Sequence, residues 1–301
     1  MSNSKEEKSM AEAAGVRAGT LTKKIADSRL EDVAERSCHS VAGKLKKIGG
    51  LAVRSGVVTW GLFVAIWWFL SLFQSEVLLP GPLETLKGAK ELILNGKLLS
   101  FALISLRRVF LGWIIGIAIG IPLGLVIGRI SFVRHLFEPF INFFRFVPGL
   151  ALITLFLMWF GVGETSKVVL ITYGTVFVVI VNIISGILAL DKDRINSARV
   201  LGVSEPQILL TVIWPSVIPY AFTGARLGLG GAFASIVAAE MLASKEGIGY
   251  LIFTARMYFH TDWIITGVIT LGLLGYLSDK LLRLFGNRFL GKYGVREKKA
   301  F

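Results

Sequence analysis

Long runs of residues without a charged side chain constrain the fold of this chain more than any other feature. Four such runs contain at least 18 residues each and occupy positions 56–73, 109–128, 146–163 and 168–190. About 20 helical residues, each rising about 1.5 Å, cross the roughly 30 Å hydrocarbon layer of a bilayer. Each run therefore predicts a helix that spans a membrane.

Two further apolar segments carry charged residues. Residues 218–239 contain Arg226, and residues 263–284 contain Asp279, Lys280 and Arg283 near their end. The composition agrees with a membrane protein, because 54% of the residues are apolar and 18% are charged, against about 45–50% and 25% in soluble domains. The sequence predicts an all-α membrane protein with about six transmembrane helices.

The positive charge is concentrated in alternate loops. Basic residues precede the first run, follow the second and fourth runs and end the chain, whereas the loops at 161–167 and 243–262 hold few. The stretch 74–106 holds three lysines, but the charges of long loops have less influence on the orientation of a membrane protein. Because cytoplasmic loops carry the excess of Lys and Arg, both termini are predicted to be cytoplasmic. The net charge of +13 therefore indicates topology and contact with anionic lipid, and not a nucleic-acid site.

The sequence divides into three predicted parts. Residues 1–54 form a cytoplasmic extension, partly disordered, with a short amphipathic helix at about 21–33. Residues 55–285 form the transmembrane domain, and residues 286–301 form a basic cytoplasmic tail. The first fifty residues lack the apolar core of a signal peptide, so the first span is expected to act as an uncleaved anchor. Cys38 is the only cysteine, which excludes an intramolecular disulfide and a thiolate metal site.

Motifs of catalytic chemistry are absent from the sequence. It has no Gly-x4-Gly-Lys-Ser/Thr loop for ATP phosphates and neither a His-Glu-x2-His nor a Gly-x-Ser-x-Gly motif. Its three histidines lie on separate segments. We therefore expect a non-catalytic subunit without a cofactor or metal of its own, which depends on another protein for energy.

The second run has a glycine at every fourth position. These residues share one helix face and are Gly112, Gly116, Gly120, Gly124 and Gly128. A face without side chains lets a neighbouring helix approach closely, which is a main source of helix association in lipid. The glycines predict a packing seam, along which the two helices are either fixed or able to slide.

Three residues are candidates for the lining of a pore. Pro148 interrupts the third run, and broken helices at membrane depth are tolerated where they line a cavity. Arg226 is expected about 10 Å into the fifth span, where it either assists the passage of an anion or extends back towards the cytoplasm. Glu240 is expected near the outer interface, either at the channel mouth or paired with Lys245.

A short polar segment, residues 191–215, separates the fourth and fifth spans. Its candidate functional residues are Asn196, Ser197, Ala198, Gly202, Trp214 and Pro215. Gly202 is expected to end one short helix and Pro206 to lie in the first turn of the next, and Pro219 is expected in the first turn of the fifth span. The place of Gly202 between two helices predicts a positive φ or the close approach of a partner protein.

The segment resembles Glu-Ala-Ala-x3-Gly-x9-Ile-x-Leu-Pro, the cytoplasmic coupling loop of permease subunits of bacterial ATP-binding-cassette (ABC) importers. Ala198, Gly202 and Pro215 match this pattern, whereas Asn196, Ser197, Val212 and Trp214 replace the Glu, the first Ala, the Ile and the Leu. Over residues 57–293 the chain is similar to the permeases of the nitrate/sulfonate/taurine/bicarbonate group. The similarity also rests on short motifs, among them Leu79-Pro80-Gly81-Pro82, Ser105-Leu106-Arg107-Arg108-Val109, Ala238-Ala239-Glu240-Met241 and Gly247-Ile248-Gly249-Tyr250.

The resemblance implies the type I ABC importer permease fold with a cytoplasmic coupling helix. It further implies a complex in the bacterial inner membrane with two permease copies, two cytoplasmic ATPase subunits that bind ATP and Mg²⁺, and an extracytoplasmic binding protein. The solute would be a small anion such as nitrate, a sulfonate, taurine or bicarbonate. Its selection is expected to take place mainly in the binding protein.

Two other functions are compatible with such a chain. A secondary transporter or channel would place carboxylates or paired broken helices near the membrane midplane, and the predicted spans hold no carboxylate there. A membrane scaffold that recruits an ATPase without transport would carry the same coupling segment. Substrate-stimulated ATP hydrolysis in liposomes would distinguish an importer from such a scaffold.

Overall fold

The structure is a computed structural model that describes residues 56–295. The predictions for residues 1–54, including the amphipathic helix and Cys38, and for the last six residues lie outside this range. The chain divides into two compact units, one that ends at Ile66 and one that begins at Trp67. All packing described below lies within residues 67–295.

The described residues form helices and contain no strand. In chain order the helices are α1 (Val57–Ser71), α2 (Pro82–Leu94), α3 (Lys97–Arg129), α4 (Ser131–Phe144), α5 (Gly149–Phe160), α6 (Glu164–Leu188), α7 (Lys192–Val200), α8 (Glu205–Ile208), α9 (Trp214–Ala243), α10 (Ile248–Met257) and α11 (Thr261–Phe289). A π-helical turn at Leu209–Ile213 joins α8 to α9, and a short 3₁₀ helix follows α11. The last long helix continues four residues into the predicted tail.

Within residues 56–295, four helices are long and apolar enough to cross a membrane: α3, α6, the continuous stretch from α8 to α9, and α11. The pair α4 and α5 provides a fifth crossing if the two are counted together, and they are bent by 97° relative to each other. The run 146–163 is therefore not a single span, because α4 ends at Phe144 and only the 12 residues of α5, which begins directly after Pro148, are helical within it. The apolar helix α1, with 15 residues, is shorter than the four long helices.

The fifth predicted span begins earlier than expected. Pro215 lies in the first turn of α9, and Pro219 lies inside the helix and not at its start. The π-helical turn directly before Trp214 lets the helix continue from Glu205 to Ala243, although neither proline has an N–H group for the helical ladder. The expectation that Pro219 begins the span was therefore wrong.

Helices α3 and α6 pack along the five glycines. Each glycine lies opposite a residue of α6 in the same register, and the partners are Ile171, Thr175, Val179, Ile183 and Ile187. A Cβ atom on any of these glycines would lie 2.6–2.9 Å from a side-chain carbon of its partner. The absence of side chains on this face therefore determines how closely α3 approaches α6, as is typical of helix packing in lipid.

The directions of the long helices follow from these contacts. Residue numbers rise together along the α3–α6 seam, so these two helices are parallel. Helix α9 is antiparallel to α3, because Trp113 donates to the carbonyl of Ala225 and Ser105 donates to Glu240. Helix α11 is antiparallel to α9, since Arg226 pairs with Asp279 and Gly286 contacts Phe222. Helices α3, α6 and α11 therefore end on one side of the bundle, where α7 also lies.

The parallel arrangement of α3 and α6 has a consequence for the segment between them. The chain must return from the end of α3 to the start of α6 on the opposite side of the bundle. The bent pair α4 and α5 makes this return, so it acts as one crossing although its axis is broken.

Candidate functional site

The short helix α7 is bounded at both ends by local signals in the sequence. At its start, the Asp191 carboxylate accepts a hydrogen bond of 2.9 Å from the backbone N–H of Asp193, which is an N-cap. At its end, the N–H of Gly202 donates to Arg199 and the N–H of Val203 donates to Ala198. This pair of bonds is a Schellman motif, in which the residue after the C-cap is left-handed.

Gly202 has a φ of +77°, the conformation that glycine adopts most readily. A Cβ atom on Gly202 would meet no atom within 4 Å. The backbone conformation therefore requires glycine here, whereas crowding within the chain does not. The open space leaves this position accessible to another protein.

Helix α7 has an inner and an outer side. Ile195 and Ala198 pack against the core formed by α6, α8 and α9, whereas Asn196 and Ser197 are exposed. The helix ends in an apolar tip, in which Val200 is 88% and Leu201 81% exposed. A short polar helix with an apolar tip, fixed to the core on its other side, has the shape of a docking element.

An exposed ion cluster connects α7 to α3. The Glu205 carboxylate accepts a hydrogen bond of 2.6 Å from Nε of Arg199 and a second from Arg129 at the end of α3. Ser204 and Gln207 form a capping box that begins α8. The hydrogen bond that Arg199 donates to Glu205 raises the pKa of the Arg199 guanidinium above its usual value, so Arg199 stays charged at any physiological pH.

The structure divides the residues that the sequence analysis grouped in the coupling loop. Asn196, Ser197, Ala198 and Gly202 lie in α7 and its terminal turn. Trp214 and Pro215 are half-buried in the first turn of α9. The second pair therefore belongs to the spanning helix that follows the exposed segment.

The opposite side of the bundle holds a buried ion cluster around Arg108. Its guanidinium forms two hydrogen bonds with the carboxylate of Glu164, at 2.7 and 2.6 Å, and one of 2.7 Å with Glu240. Ser105 donates to both oxygens of Glu240, and Lys167 donates to Glu164. The cluster therefore joins α3, the start of α6 and the end of α9.

The backbone before α10 closes this cluster. The N–H of Gly249 donates to Glu240, the N–H of Ile248 donates to Ser105, and the carbonyl of Glu246 accepts from Arg108, all at 2.9 Å. Gly247 has a φ of +109°, and a Cβ atom there would lie 2.2 Å from an oxygen of Glu240. The backbone passes so close to the buried carboxylate that only glycine fits.

The partner of Glu240 differs from the expected one. The sequence analysis considered Lys245, but Glu240 is fully buried and pairs with Arg108. Sequence spacing favoured Lys245 because it is near in the chain, whereas Arg108 lies 132 residues away. The sequence did hold one signal for this cluster: Ser105, Arg108, Glu240 and Gly247 all lie in the short motifs that carry the family resemblance.

The other two pore candidates have defined surroundings. Arg226 donates from Nε to the carboxylate of Asp279 at 2.9 Å, and Asp279 also pairs with Arg283. Pro148 is exposed and precedes α5 directly, at the break between α4 and α5. The fourth predicted span carries the polar side chains of Tyr173, Asn182 and Ser185, each of which donates a hydrogen bond to a backbone carbonyl.

Metal ligation has no basis in the described residues. Between residues 56 and 295, no three His, Cys, Asp or Glu side chains lie together in a group that could hold a metal ion.

Residues 116–290 match the family described as binding-protein-dependent transport system inner membrane component. The chain belongs to this family. The matched range includes most of the glycine seam, the α4–α5 break, the coupling segment and Glu240.

Relatives of the family extend over most of the chain. A probable ABC transporter permease protein of Brucella melitensis is 38% identical over 221 residues, which are 73% of this chain and 90% of the relative. A putative aliphatic sulfonates transport permease protein of Bacillus subtilis is 34% identical and covers 83% of this chain and 95% of its own. The nitrate import permease protein of Synechococcus elongatus is 34% identical, and the match covers 76% of this chain and 87% of the relative.

The fold is also found in a solved transporter. A chain of the inward-facing MetNI methionine ABC transporter superposes with a TM-score of 0.57 at 18% identity, over 68% of this chain and 98% of the other. The resemblance inferred from the short motifs is therefore confirmed, as is the importer permease fold. The chain is a multi-pass inner-membrane permease subunit of an ABC importer.

Proposed function

We propose that this permease carries a small anion into the cell as part of a complex with two permease copies, two ATPase subunits and an extracytoplasmic binding protein. The solute carries an anionic group and is nitrate, an alkanesulfonate, the zwitterion taurine, bicarbonate or a solute of similar size. Two relatives named for sulfonate and nitrate transport support this class. ATP and Mg²⁺ bind to the ATPase subunits, and this chain contributes no catalytic group.

Both termini face the cytoplasm in this proposal, together with α7. The basic residues that follow the second and fourth runs and that end the chain support this orientation. The helix directions agree with it, since α3, α6 and α11 end on the side where α7 lies.

The exposed apolar tip of α7 is the observation that carries the coupling role. Val200 and Leu201 enter a cleft of the ATPase in the proposed complex, and burial of their side chains contributes to the binding free energy. Movement of α7 reaches the spanning helices through Ile195 and Ala198, which pack on the cluster that contains Ile183 of α6 and Val217 of α9. A second path leads through Glu205 to the end of α3.

Reconstitution of the complex in liposomes tests this function. The wild-type complex should take up at least one of nitrate, taurine, methanesulfonate and bicarbonate when ATP and the binding protein are supplied. Gly202→Asp should abolish uptake and the copurification of the ATPase, because the side chain enters the docking surface and favours another φ. Uptake without ATP, or normal uptake by Gly202→Asp, would contradict the proposal.

Gly96→Asp is the matched control for this substitution. Gly96 also has a positive φ, of +69°, and a Cβ atom there would also meet nothing within 4 Å. It lies before α3, on the side opposite to α7. The control therefore carries the same backbone strain and should retain the ATPase and at least half of the uptake.

A further inference from the structure

We propose that the permease binds its anion at Arg145, in a largely apolar cavity between the α4–α5 break and α6. This site rests on the proposed function, because it assumes that the solute is a small anion. It is separate from the coupling segment and from Arg226, the arginine that the sequence analysis considered for the same role.

The break between α4 and α5 is held in place against α6. The Tyr173 hydroxyl donates to the carbonyl of Phe144 at 2.5 Å and to that of Val147 at 3.3 Å. The ring of Phe144 stacks on that of Phe177, with centroids 6.1 Å apart. Arg145 lies between these two anchored carbonyls, so its backbone has a fixed position in the membrane domain.

Arg145 has a charge environment different from those of Arg108 and Arg226. Arg108 and Arg226 are paired with carboxylates, whereas Arg145 forms no ion pair with any carboxylate of residues 56–295. Its guanidinium instead lies 4.7 Å from the centroid of the Phe146 ring. Because a guanidinium stays protonated in proteins, Arg145 presents a positive charge that is available to an anion.

The cavity beside Arg145 has the composition of a small-molecule site. It measures about 230 Å³, and its wall consists of Arg145, Phe146, Phe177, Val178, Val181 and Asn182. Such sites combine apolar walls with a few polar groups that fix the ligand. The Asn182 amide donates one N–H to Val178 at 2.8 Å, and its second N–H is suited to an anion at Arg145.

A second cavity of about 330 Å³ adjoins the first, since both are lined by Arg145 and Val181. It adds Arg134, Glu138 and Ser185. Glu138 and Arg134 lie one helical turn apart on α4, and their formal charges cancel. With Arg145 included, the lining of the two cavities has a net positive charge. A single positive charge attracts an anion without retaining it, as passage requires.

The level of the site in the bundle agrees with a place on the pathway. Residues 178–182 of α6 lie about 12 Å before the end of that helix and about 24 Å after its start. Ionisable side chains at such depth face the bundle interior or a water-filled cavity and not lipid. Solute released at this level would leave on the side of α7.

The complex of permease, ATPase and binding protein, reconstituted in zwitterionic lipid, tests the site. Uptake by the wild type is measured first with nitrate, taurine and methanesulfonate, and the anion with the highest rate is used afterwards. Absence of uptake of all three would refute the proposed function itself. With uptake established, Arg145→Gln should lower the initial rate at least tenfold while the ATPase still copurifies.

Three further variants separate charge from structure. Arg145→Lys keeps the charge, so its initial uptake rate should fall less than that of Arg145→Gln, and the main change should be a higher KM. Asn182→Arg in the Arg145→Gln background should restore part of the uptake, because it returns a guanidinium to the same cavity from α6. Arg107→Gln, which removes an exposed arginine outside both cavities, should keep the wild-type rate.

The outcomes that overturn the site are equally defined. Uptake by Arg145→Gln within twofold of the wild type overturns it, as does a tenfold loss in Arg226→Gln with none in Arg145→Gln. A defect of Arg145→Gln that appears only when anionic lipid is added assigns the cavity to a lipid headgroup and also overturns it. If Arg145→Gln does not assemble, Arg145→Lys decides the question, because an unchanged KM would exclude a role in binding the anion.

Discussion

The two ends of the helix bundle carry ion clusters of opposite character. At one end, Arg108 is 3% exposed and Glu240 is 0% exposed. The guanidinium of Arg108 and the carboxylate of Glu240 form hydrogen bonds with side chains and backbone groups of four helices or their adjoining turns. In the cluster at α7, the side chains of Arg199 and Glu205 are 46% and 56% exposed. The same types of residue therefore form a fixed junction at one end and a solvated contact at the other.

The difference follows from the cost of desolvation. A charge removed from water must have all its hydrogen bonds replaced, so a buried pair tolerates few alternative arrangements. An exposed pair is screened by water and salt and can separate at little cost. The comparison indicates a rigid end around Arg108 and an adjustable end around Glu205, where α7 would contact the ATPase in the proposed complex.

Removal of Glu240 is expected to have the largest effect on stability. Glu240→Ala leaves Arg108 buried with one carboxylate fewer and leaves the N–H of Gly249 without its acceptor, and such a loss costs about 3–5 kcal/mol. The thermal midpoint of the detergent-solubilised permease should fall by several degrees. Glu91→Ala on the exposed face of α2 is the control and should leave the midpoint unchanged. Equal midpoints for the two variants would show that the Arg108 junction is not rigid.

Alanine substitutions in the glycine seam should likewise cost more stability at the end near Arg108 than at the end near α7. A Cβ atom at Gly112 would lie 2.6 Å from Cβ of Ile171 and 2.9 Å from the carbonyl oxygen of Val168, neither of which can move without the backbone. At Gly128 the nearest atom is Cδ1 of Ile187, at 2.6 Å, which can rotate away. Gly112→Ala should therefore cost about 1–3 kcal/mol by overpacking.

Gly128→Ala should be close to neutral, because the gain of about 1 kcal/mol in helix propensity offsets the contact. Gly230→Ala, where a Cβ atom would meet nothing within 4 Å, controls for the propensity gain alone. Thermal midpoints of the three variants provide the measurement. A larger fall in thermal midpoint for Gly128→Ala than for Gly112→Ala would contradict the conclusion that the end near Arg108 is the more rigid one.

Substitution of Glu205 is expected to have the smallest effect on stability. Glu205→Gln removes the charge from an exposed cluster, so the thermal midpoint should not change measurably. The number of ATP molecules hydrolysed per solute transported should rise modestly at low salt, because α7 is held less firmly to α3. At high salt, which screens exposed charges, the variant and the wild type should converge. A loss of stability like that of Glu240→Ala would show that this cluster is structural.

Local rules in the sequence predicted the parts of the candidate site that depend on neighbouring residues. Gly202 ends α7 in a left-handed conformation, and Pro206 lies in the first turn of α8, because capping is determined within a few positions. The glycines at every fourth position share a face for the same reason. Partners across the bundle could not be predicted in this way: Glu240 pairs with Arg108 and Arg226 with Asp279, 132 and 53 residues apart.

The sequence by itself determined that this chain is a multi-pass membrane protein, where its spans approximately lie, and where a short polar segment separates the fourth and fifth of them. These properties depend on composition, periodicity and local backbone preference. Only the tertiary structure decided that α4 and α5 form one broken crossing, that Pro219 lies within a helix, and that Arg145 faces a cavity without a carboxylate partner. Periodicity shows which residues share a helix face, but the neighbour of that face depends on how all the helices pack at once.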